Sequence, residues 1–425
     1  MSEAVPGRAV ALVNLGCRVN RVELDLMASE LERAGAEVTG EREARVIVVN
    51  TCAVTAEAEA KTRKAVRRAA TLPGAPLVIA TGCVASLFAD ELASLGPNVT
   101  VERDKSAVAR TALRELGLDG SDAAPEACSL TPTPTGRTRP GIKIQDGCDN
   151  RCTYCIVWRA RGSSRSVDPD EVISSVRAAL GRGAREVVLT GINLGRYRAK
   201  DDSGRELDLV GLLDRVLELT DVGRVRLSSI EPPDVTPELC ALMAGAGERV
   251  APFLHVCLQS GCDETLRRMA RVYRSDDYRR AVAVAREAVP GLALGTDLIV
   301  GFPGETDDEF ERSLAFCEEM RFAKMHVFRY SRRPGTPAAT MPGQVGPAVS
   351  AARSARAREL GERMRHEEAA RHVGARDLVV VQAPGSGVTG GLFDVSLDPS
   401  VPVDSLVPVR LTGLRDDATL TAELL

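Results

Sequence analysis

Three cysteines stand close together between Cys148 and Cys155, in the spacing C-x-x-x-C-x-x-C. Their loop is polar and follows an apolar run, Ile142 to Ile144, that is typical of a strand. Thiolates in a tight loop are the usual ligands of a cubane iron–sulfur cluster, and three of them leave one iron for a ligand that is not protein. The alternatives are structural zinc and three reduced thiols that are neighbours by chance. Structural zinc prefers two pairs of Cys or His ligands, and no second pair follows nearby. The spacing therefore favours an iron–sulfur cluster held by Cys148, Cys152 and Cys155.

A second group of cysteines follows strand-like segments in the first third of the chain. Apolar runs typical of strands buried on both faces alternate there with segments of helical spacing. The runs are Ala9 to Val13, Val46 to Val49 and Leu77 to Ala80, and the helical segments are Leu24 to Leu31, Ala56 to Ala70 and Leu87 to Leu95. A cysteine follows each run, namely Cys17, Cys52 and Cys83. Because neighbouring parallel strands end at one edge of a sheet, these thiols are expected to converge on a second cluster, with inert packed thiols as the alternative.

The motifs resemble those of a known family. The C-x-x-x-C-x-x-C loop with its aromatic neighbour Tyr154 resembles the signature of radical S-adenosylmethionine (AdoMet) enzymes, whose open iron binds AdoMet. The segments Asn14 to Asn20, Asn50 to Thr55 and Thr81 to Cys83 are similar to the cluster segments of the methylthiotransferases. This resemblance implies two [4Fe–4S] clusters, one that cleaves AdoMet and an auxiliary one that carries the sulfur or methylthio group.

Composition sets wider limits. A chain of 425 residues is expected to form two or three domains, and 44% hydrophobic with 27% charged residues is typical of a soluble globular protein. The net charge of −4 gives no overall attraction to nucleic acid, so an RNA substrate would need local patches. Eleven cysteines without a recognisable secretory signal indicate a reducing, cytoplasmic location and metal rather than disulfides. No run approaches the roughly 20 apolar residues of a membrane span.

Six strand-like runs follow a Thr-, Pro- and Ser-rich stretch, residues 123–140, which is interpreted as a linker with an incidental Cys128. The runs are Ile142 to Ile144, Glu186 to Thr190, Val225 to Ser228, Phe253 to Leu258, Leu294 to Ile299 and Met325 to Tyr330, with helical patterns between them at Glu171 to Leu180, Leu207 to Leu219 and Asp307 to Met320. Repeated βα units predict a partial (β/α)6 barrel whose chemistry lies at the carboxyl ends of its strands.

Polar or glycine-bearing clusters follow these runs, and the resemblance assigns them to AdoMet. Thr190, Gly191 and Asn193 would meet the methionine amino group. Ser229, Glu231 and Gln259 would lie near the ribose and the methionine. The segment from Gly301 to Glu305 would lie near the adenine. Ordinary turn chemistry is the alternative for each glycine taken alone.

The remaining cysteines, the histidines and a run of basic residues are interpreted as structural. Cys240, Cys257, Cys262 and Cys317 lack ligand spacing and are interpreted as packing groups. The histidines are scattered without a pairing that suggests a metal site, and His255 and His326 are expected to be core or barrel-lining groups. A basic run after Cys52 is interpreted as a solvated helix face, with a phosphate-contacting stripe as the alternative; it contains Lys61, Arg63, Lys64, Arg67 and Arg68.

The tail resembles the family's RNA-binding TRAM domain in its alternating strand pattern from Val373, which follows an arginine-rich helix (Arg353 to His372). It departs from that domain in composition, because it is acidic and Phe393 is its sole aromatic residue, whereas RNA-binding modules supply basic charge and stacking rings. A second departure is Trp158, which follows the Cys148 loop where the family usually has proline and tyrosine.

The predicted organisation is an α/β protein with a Rossmann-like parallel-sheet domain (1–122), a linker (123–140), a radical AdoMet barrel with a trailing helix (141–372) and a TRAM-like β-barrel (373–425). Segments around Cys52 and Cys148, together with Leu227 to Pro232 and Met325 to Pro337, are most similar to the branch that modifies N6-threonylcarbamoyladenosine. The expected reaction places a methylthio group on carbon 2 of that base, next to the tRNA anticodon, with unidentified electron and sulfur donors. A peptide, ribosomal-protein or small-molecule substrate is the first alternative, and a non-catalytic iron–sulfur or RNA-binding protein the second.

Overall fold

The computed structural model describes residues 7–119 and 138–425, which form two compact units. The first unit contains residues 7–119, Asp146–Asn150 and Cys155–Ser164. The second contains residues 138–145, Arg151–Tyr154 and Arg165–Leu425. The interpreted linker lies, up to residue 137, outside the described residues, as does Cys128. The domain boundaries given above therefore stay predictions.

The first unit is built on a parallel sheet flanked by helices. Its elements are β1 (Ala9–Asn14), α1 (Arg18–Arg33), β2 (Glu37–Val38), β3 (Val46–Thr51), α2 (Ala56–Ala70), β4 (Leu77–Gly82), α3 (Cys83–Leu87), α4 (Ala89–Ala93), β5 (Val99–Val101) and α5 (Lys105–Leu116). The strand order is β2-β1-β3-β4-β5, and every pairing is parallel.

Both faces of this sheet are covered, which explains why its strands are continuous apolar runs. Ile47 and Val49 pack on the side of α2, whereas Val46 and Val48 pack on the side of α1 and α5. The helix α2 begins after Thr55, whose hydroxyl accepts a hydrogen bond from the Ala58 amide at 3.1 Å.

Two predicted helices of this unit differ from the structure. The segment expected at Leu87 to Leu95 is two short helices, because the chain leaves helical geometry at Phe88 (φ −135°, ψ 47°). The segment expected at Leu24 to Leu31 is the longer α1, whose first turns bury polar side chains such as Asn20 and Glu23 that mask the apolar periodicity.

Strands and helices alternate again from residue 138 to residue 375. The elements are β6 (Gly141–Lys143), β7 (Gln145–Asp146), α6 (Val157–Arg161), β8 (Arg165–Ser166), α7 (Pro169–Gly181), β9 (Glu186–Thr190), β10 (Ala199–Lys200), β11 (Glu206–Leu207), α8 (Leu209–Leu219), β12 (Arg224–Leu227), β13 (Ser229–Ile230), α9 (Pro237–Ala246), β14 (Phe253–Val256), α10 (Asp263–Arg268), α11 (Ser275–Ala288), β15 (Ala293–Val300), α12 (Asp307–Met320), β16 (Lys324–Arg329) and α13 (Pro347–Ala370). Short 3-10 turns lie at Leu194–Arg196, Pro232–Asp234, Gly247–Arg249 and Pro337–Thr340.

The barrel strands form two parallel sheets that divide at Ser228. One has the order β12-β9-β6 and the other the order β13-β14-β15-β16. Strand β12 pairs with β9 as far as Leu227. The chain then continues as β13, which pairs with β14. Helices α7, α8, α9, α11, α12 and α13 contribute to the apolar layer outside these strands. The predicted partial barrel is confirmed, although the helix predicted from Leu207 begins at Leu209, because Asp208 caps it.

The chain ends in a closed β-barrel of β17 (Arg376–Ala383), β18 (Ser386–Val388), β19 (Asp394–Ser396), β20 (Leu406–Leu414) and β21 (Leu420–Leu424). Phe393 is fully buried in its core, so the ring is a packing group rather than a stacking platform. The predicted C-terminal β-barrel is confirmed. Within the described ranges, no helix has the length and apolar character that crossing a membrane requires.

Candidate active site

The thiols predicted to hold the auxiliary cluster are brought together in the first unit. Strand pairing aligns Asn14 with Asn50, and Thr51 with Gly82, so the chain turns after β1, β3 and β4 lie side by side. Cys17 is exposed, whereas Cys52 and Cys83 are buried. Burial above all, together with interaction with the thiols of Cys17 and Cys83, raises the pKa of the Cys52 thiol to about 11. Three neighbouring thiols, two of them buried, fit a cluster whose irons replace their protons.

Asparagine side chains fix the loops that carry these thiols. The Asn20 amide donates to Asn50 Oδ1 at 3.0 Å and to the Thr51 carbonyl at 2.8 Å, and the Asn50 amide donates to the Asn20 carbonyl at 2.7 Å. Cys17 Sγ lies 3.3 Å from Asn20 Oδ1. Gly82 has φ +91°, and a Cβ there would lie 2.5 Å from the Thr51 carbonyl oxygen. The close approach of β3 and β4 at Cys83 therefore requires glycine.

Arg161 is a site residue to which sequence reasoning gave no role. Its side chain is only 4% exposed. It donates to Glu23 at 2.9 Å, to Asp146 at 2.8 Å and to Asn20 Oδ1 at 2.7 Å. Burial opposes its charge, but Glu23 and the nearby Cys83 thiol outweigh burial and raise the pKa of Arg161. The Arg161 guanidinium therefore lies beside Cys83, a predicted cluster ligand. The sequence feature that could have indicated a role for Arg161 is its position directly before Gly162, after the third cysteine of the loop.

Backbone geometry shapes the first part of the Cys148 loop. Gly147 has φ +71°, and a Cβ there would lie 1.9 Å from the Ser163 carbonyl oxygen, so only glycine fits. The Cys148 amide donates to the Gly162 carbonyl at 3.0 Å. The Ser164 amide donates to Asp149 Oδ1 at 3.3 Å. These bonds tie the turn before Cys148 to the chain that follows α6.

Cys152 and Thr153 are held within the second unit. Arg271 Nη1 donates to Cys152 Sγ at 3.1 Å, and its Nη2 donates to Glu231 Oε1 at 2.5 Å. The Thr153 amide donates to the Met269 carbonyl at 3.1 Å. Arg271 is therefore a further residue missed from the sequence, and it ties Glu231, a predicted AdoMet contact, to a predicted cluster ligand.

The strand end after β9 has the features that the methionine end of AdoMet needs. The Ile192 and Asn193 amides both donate to Gln145 Oε1, at 3.0 and 2.8 Å, and a Cβ on Gly191 would lie 3.0 Å from Gln145. Thr190 is buried at the end of its strand. Asn193 Oδ1 is buried and has no hydrogen-bond partner in the described part of the chain. An unsatisfied acceptor suits the ammonium group of a methionine.

The remaining predicted AdoMet residues occupy the other strand ends. Ser229 lies on β13 and pairs with His255. Gln259 adopts φ +66°, and its amide donates to the Asp297 carbonyl at 2.8 Å. This left-handed conformation is uncommon for a residue other than glycine and aims the chain away from β14.

The Glu305 carboxylate holds the turn after β15. It accepts a hydrogen bond from the Gly301 amide at 2.6 Å and one from Arg353 Nη1 at 2.8 Å, and it is buried. Gly301 has φ +72°, and a Cβ there would lie 2.7 Å from Ser350 Oγ. These bonds give Glu305 a loop-fixing role, and its contact with adenine stays a prediction.

Aromatic rings pack beside the Cys148 loop in the second unit. Phe302 is fully buried and lies edge-on to Tyr154, with ring centroids 6.5 Å apart, and to Tyr330 at 5.3 Å. Ile299 and Met269 complete this cluster. The aromatic neighbour of the cysteines thus packs against Phe302, which follows β15.

Three of the five basic residues predicted to form a charged face on α2 have carboxylate partners. Lys61 pairs with Glu57 at 2.8 Å and Arg68 with Glu41 at 2.7 Å, and Arg63 pairs with Glu91. Lys64 and Arg67 are exposed. The compensated charges and the exposure agree with the interpretation of a solvated face.

Comparison with known proteins gives the family. Residues 142–317 match the model of the Radical SAM superfamily, and residues 9–102 match an uncharacterized protein family, UPF0004. Threonylcarbamoyladenosine tRNA methylthiotransferase MtaB of Thermotoga maritima is 36% identical over 80% of this chain and 78% of its own length. The MtaB of Chlamydia pneumoniae is 32% identical over 96% of both chains. Ribosomal protein uS12 methylthiotransferase RimO of Desulforudis audaxviator is 36% identical over 88% of this chain and 85% of its own length.

The chain belongs to the radical SAM methylthiotransferase family. It is therefore a transferase, and the cofactors of its family are AdoMet and [4Fe–4S] clusters. A solved radical AdoMet methyltransferase, TsrM from Kitasatospora setae, has the same fold over 78% of this chain and 77% of its own, with a TM-score of 0.55 at 18% identity. The chemistry of the donor set of this methylthiotransferase, two trios of cysteine thiols and the unsatisfied Asn193 Oδ1, fits those cofactors.

The structure groups two histidines that the sequence pattern did not pair. His255 and His326, interpreted as core or barrel-lining groups, lie on barrel strands on either side of Asp297, with ring centroids 5.4 Å apart. Cys257, interpreted as a packing group, lies 3.9 Å from the same carboxylate. Neighbouring parallel strands bring these residues together, and the strand register that does so is not visible in the sequence.

Proposed function

We propose that this methylthiotransferase places a methylthio group on carbon 2 of N6-threonylcarbamoyladenosine, next to the anticodon of tRNA. The observation that carries the proposal is the set of relatives named as threonylcarbamoyladenosine tRNA methylthiotransferases, which align over 80–96% of the chain at 31–36% identity. We propose a cytoplasmic location, because it agrees with a tRNA substrate, and the reaction requires an electron donor and a sulfur donor.

When bound, AdoMet and the clusters would supply radical chemistry at an unactivated C–H bond, which acid–base groups do not achieve. We propose that Cys148, Cys152 and Cys155 would hold the cluster that binds AdoMet, and that Cys17, Cys52 and Cys83 would hold the auxiliary cluster. Arg271 orients Cys152 and Glu231, while Asn193 Oδ1 would accept a hydrogen bond from the methionine ammonium. Phe302 and Tyr330 hold the ring of Tyr154 by packing.

The test is nucleoside mass spectrometry of tRNA from cells that lack this enzyme. We expect N6-threonylcarbamoyladenosine to accumulate and its 2-methylthio derivative to disappear. Wild-type enzyme should restore the derivative, whereas the Cys148→Ala variant, expressed at the same level, should not. Unchanged levels of the derivative in the deletion strain would overturn the assignment.

A second candidate substrate is a ribosomal protein. Two observations favour it: the relative named for uS12 is as similar as the tRNA enzymes, at 36% identity, and the C-terminal β-barrel is acidic. In the same deletion strain, intact-mass analysis of ribosomal proteins would show the loss of one methylthio group if this candidate is correct. Loss from protein with tRNA unchanged would replace the first proposal.

A further inference from the structure

Nitrogen, oxygen and sulfur donors meet on the inner face of three barrel strands. His255 on β14 has Nε2 3.1 Å from Asp297 Oδ1 on β15. Cys257 Sγ lies 3.9 Å from Asp297 Oδ2. His326 on β16 has Nδ1 3.2 Å from Asp297 Oδ1. One ligand atom from each of His255, Cys257 and Asp297 lies within 4.8 Å of the other two.

Strand alternation explains why these side chains share a face. Leu254, Val256 and Leu298 pack into the layer of apolar side chains beneath the outer helices, so the intervening residues point to the opposite side. A Cβ on Gly295 would lie 2.8 Å from His255 Nδ1, so glycine at this position makes room for the imidazole ring. Ile299, two residues beyond Asp297 on the same face, packs in the apolar cluster that includes Tyr154 of the cysteine loop.

Imidazole rings are the partners of the Asp297 carboxylate. The Asp297 side chain is 23% exposed, and its ion-pair partners in the described residues are two imidazoles, with no lysine or arginine. His255 is 7% exposed, and its buried Nε2 lies near the carboxylate but makes no well-aligned hydrogen bond in that part of the structure. A buried nitrogen without a hydrogen bond is costly, so a ligand for this nitrogen would stabilise the group.

The distances suit ligands that share one metal ion. Bonds of about 2.0 Å to nitrogen or oxygen and about 2.3 Å to sulfur, in a tetrahedral site, place ligand atoms roughly 3.2–3.6 Å apart. His255 Nε2 lies 3.1 Å from Asp297 Oδ1, Cys257 Sγ lies 3.9 Å from Asp297 Oδ2, and one ligand atom of each residue lies within 4.8 Å of the other two, so the three donors are close to the spacing that a bound ion requires. A donor set of imidazole, thiolate and carboxylate selects zinc and related transition metals, because magnesium and calcium prefer oxygen alone.

We propose that His255, Cys257 and Asp297 bind one divalent transition metal of the zinc type, and that His326 orients the Asp297 carboxylate from outside the coordination sphere. Three protein ligands leave a fourth position for water or a substrate atom, as in catalytic zinc sites. The proposal does not depend on which substrate the enzyme modifies. A hydrogen-bonded His–Asp–His group without metal is the competing explanation.

The experiment uses the full-length protein with both iron–sulfur clusters reconstituted under anaerobic conditions. After one equivalent of zinc chloride is added and unbound ions are removed, mass spectrometry measures zinc and iron per chain. X-ray absorption at the zinc edge then measures the bond lengths separately from the cluster iron. We expect one zinc per chain at unchanged iron content, with one Zn–S distance of about 2.3 Å and nitrogen or oxygen ligands at about 2.0 Å. Retention of the full iron content excludes zinc in the cluster positions.

Variants assign the ligands. Cys257→Ser should abolish the Zn–S distance and weaken zinc binding by more than about 100-fold, and His326→Gln should weaken it by about 10–100-fold, the range found for outer partners of metal ligands. The matched control is Cys262→Ser, which removes another buried thiol and should leave zinc binding unchanged. If Cys257→Ser fails to fold, the Asp297→Asn variant tests the proposal instead, and its zinc binding should be weakened to the same extent. Substoichiometric zinc in the wild type, or an unchanged Zn–S distance in Cys257→Ser, would overturn the proposal.

Discussion

Replacing Glu186 with glutamine should destabilise the second unit strongly. The Glu186 side chain is fully buried on β9 between Arg224 and Arg226, whose side chains are 1% exposed. Burial alone would raise the pKa of Glu186, but Arg226 and Arg224 outweigh burial and lower the pKa to about 2. In Glu186→Gln the two guanidinium groups would stay buried without their shared counter-ion.

Two independent estimates give the loss of folding stability expected for Glu186→Gln. Removing one partner of a buried ion pair costs about 3–5 kcal/mol. The difference between the ordinary pKa of 4.5 and about 2 corresponds, at roughly 1.4 kcal/mol per pH unit, to about 3 kcal/mol of stability. Because the pKa is lower in the folded state, that contribution is complete above about pH 4.5 and is lost as the pH falls through about 2. We therefore expect a loss of about 3–4 kcal/mol at neutral pH.

Differential scanning calorimetry at pH 7.5 and at pH 3 measures this effect. For a unit of this size the expected loss lowers the melting temperature by roughly 6–15 °C. The difference between wild type and Glu186→Gln should shrink at pH 3, where the wild-type carboxyl begins to lose its advantage. Glu218→Gln, an exposed glutamate on α8, is the matched control and should change stability by less than about 0.5 kcal/mol. A loss below about 1 kcal/mol for Glu186→Gln would refute the reasoning, since it would mean that the guanidinium charges need no partner.

Three further predictions concern the cysteine sites. Cys52→Ala should lose about half of the cluster iron and all methylthio transfer, but it should keep reductive AdoMet cleavage. Cleavage is measured as 5′-deoxyadenosine by chromatography. A folded variant that has lost cleavage would contradict the presence of two separable clusters. Arg161→Met removes the guanidinium group that pairs with the buried Glu23 and should destabilise the first unit by about 3 kcal/mol. Unfolding is measured by the fluorescence of Trp158 on α6, and the control Arg103→Met, at an exposed position, should have no effect. Arg271→Lys weakens the hydrogen bond to Cys152 Sγ and should make the midpoint potential of the AdoMet-binding cluster more negative by on the order of 40 mV, as measured by redox titration with electron paramagnetic resonance; an equal or higher potential would contradict the role of Arg271.

The parts of the fold that could be predicted from the sequence are those in which one local pattern determines the outcome. Buried parallel strands appear in the sequence as continuous apolar runs. For this reason the observed strands begin within about one residue of their predicted positions, as in β1, β3, β4, β9 and β15. Parallel pairing then brings the turns after β1, β3 and β4 to one edge, which is why Cys17, Cys52 and Cys83 could be grouped before the structure was known.

The residues that were missed depend on long-range pairing that no local pattern encodes. Arg161 contacts Glu23, 138 positions earlier in the chain. The grouping of His255 with Asp297 depends on the register of β14, β15 and β16, and a shift of one residue would turn these side chains to the opposite face. The periodicity of the sequence predicts neither the ion-pair partner of Arg161 nor the register of these strands.

The buried arginines also explain how the acidic C-terminal β-barrel contributes to the enzyme. Arg226 Nη1 and Nη2 donate to the carbonyls of Gly390 at 2.7 Å and Thr389 at 3.2 Å, and Arg224 Nη1 donates to the Leu378 carbonyl at 2.5 Å. The first residues of β14 and β15, Phe253 and Ala293, pack in the core of that barrel together with Phe393.

All of these contacts lie at the amino ends of the α/β barrel strands, the end that serves stability, whereas the AdoMet motifs and cysteines lie at the carboxyl ends. A module that closes the amino ends needs apolar packing and carbonyl acceptors, and it needs no basic outer surface. Its excess of aspartate is therefore compatible with a tRNA substrate, provided that the surfaces around the carboxyl ends supply the attraction to RNA. Under this argument, charge-reversing substitutions on the exposed face of the C-terminal β-barrel should leave the KM for tRNA unchanged, whereas Glu186→Gln should loosen the barrel and expose it to limited proteolysis.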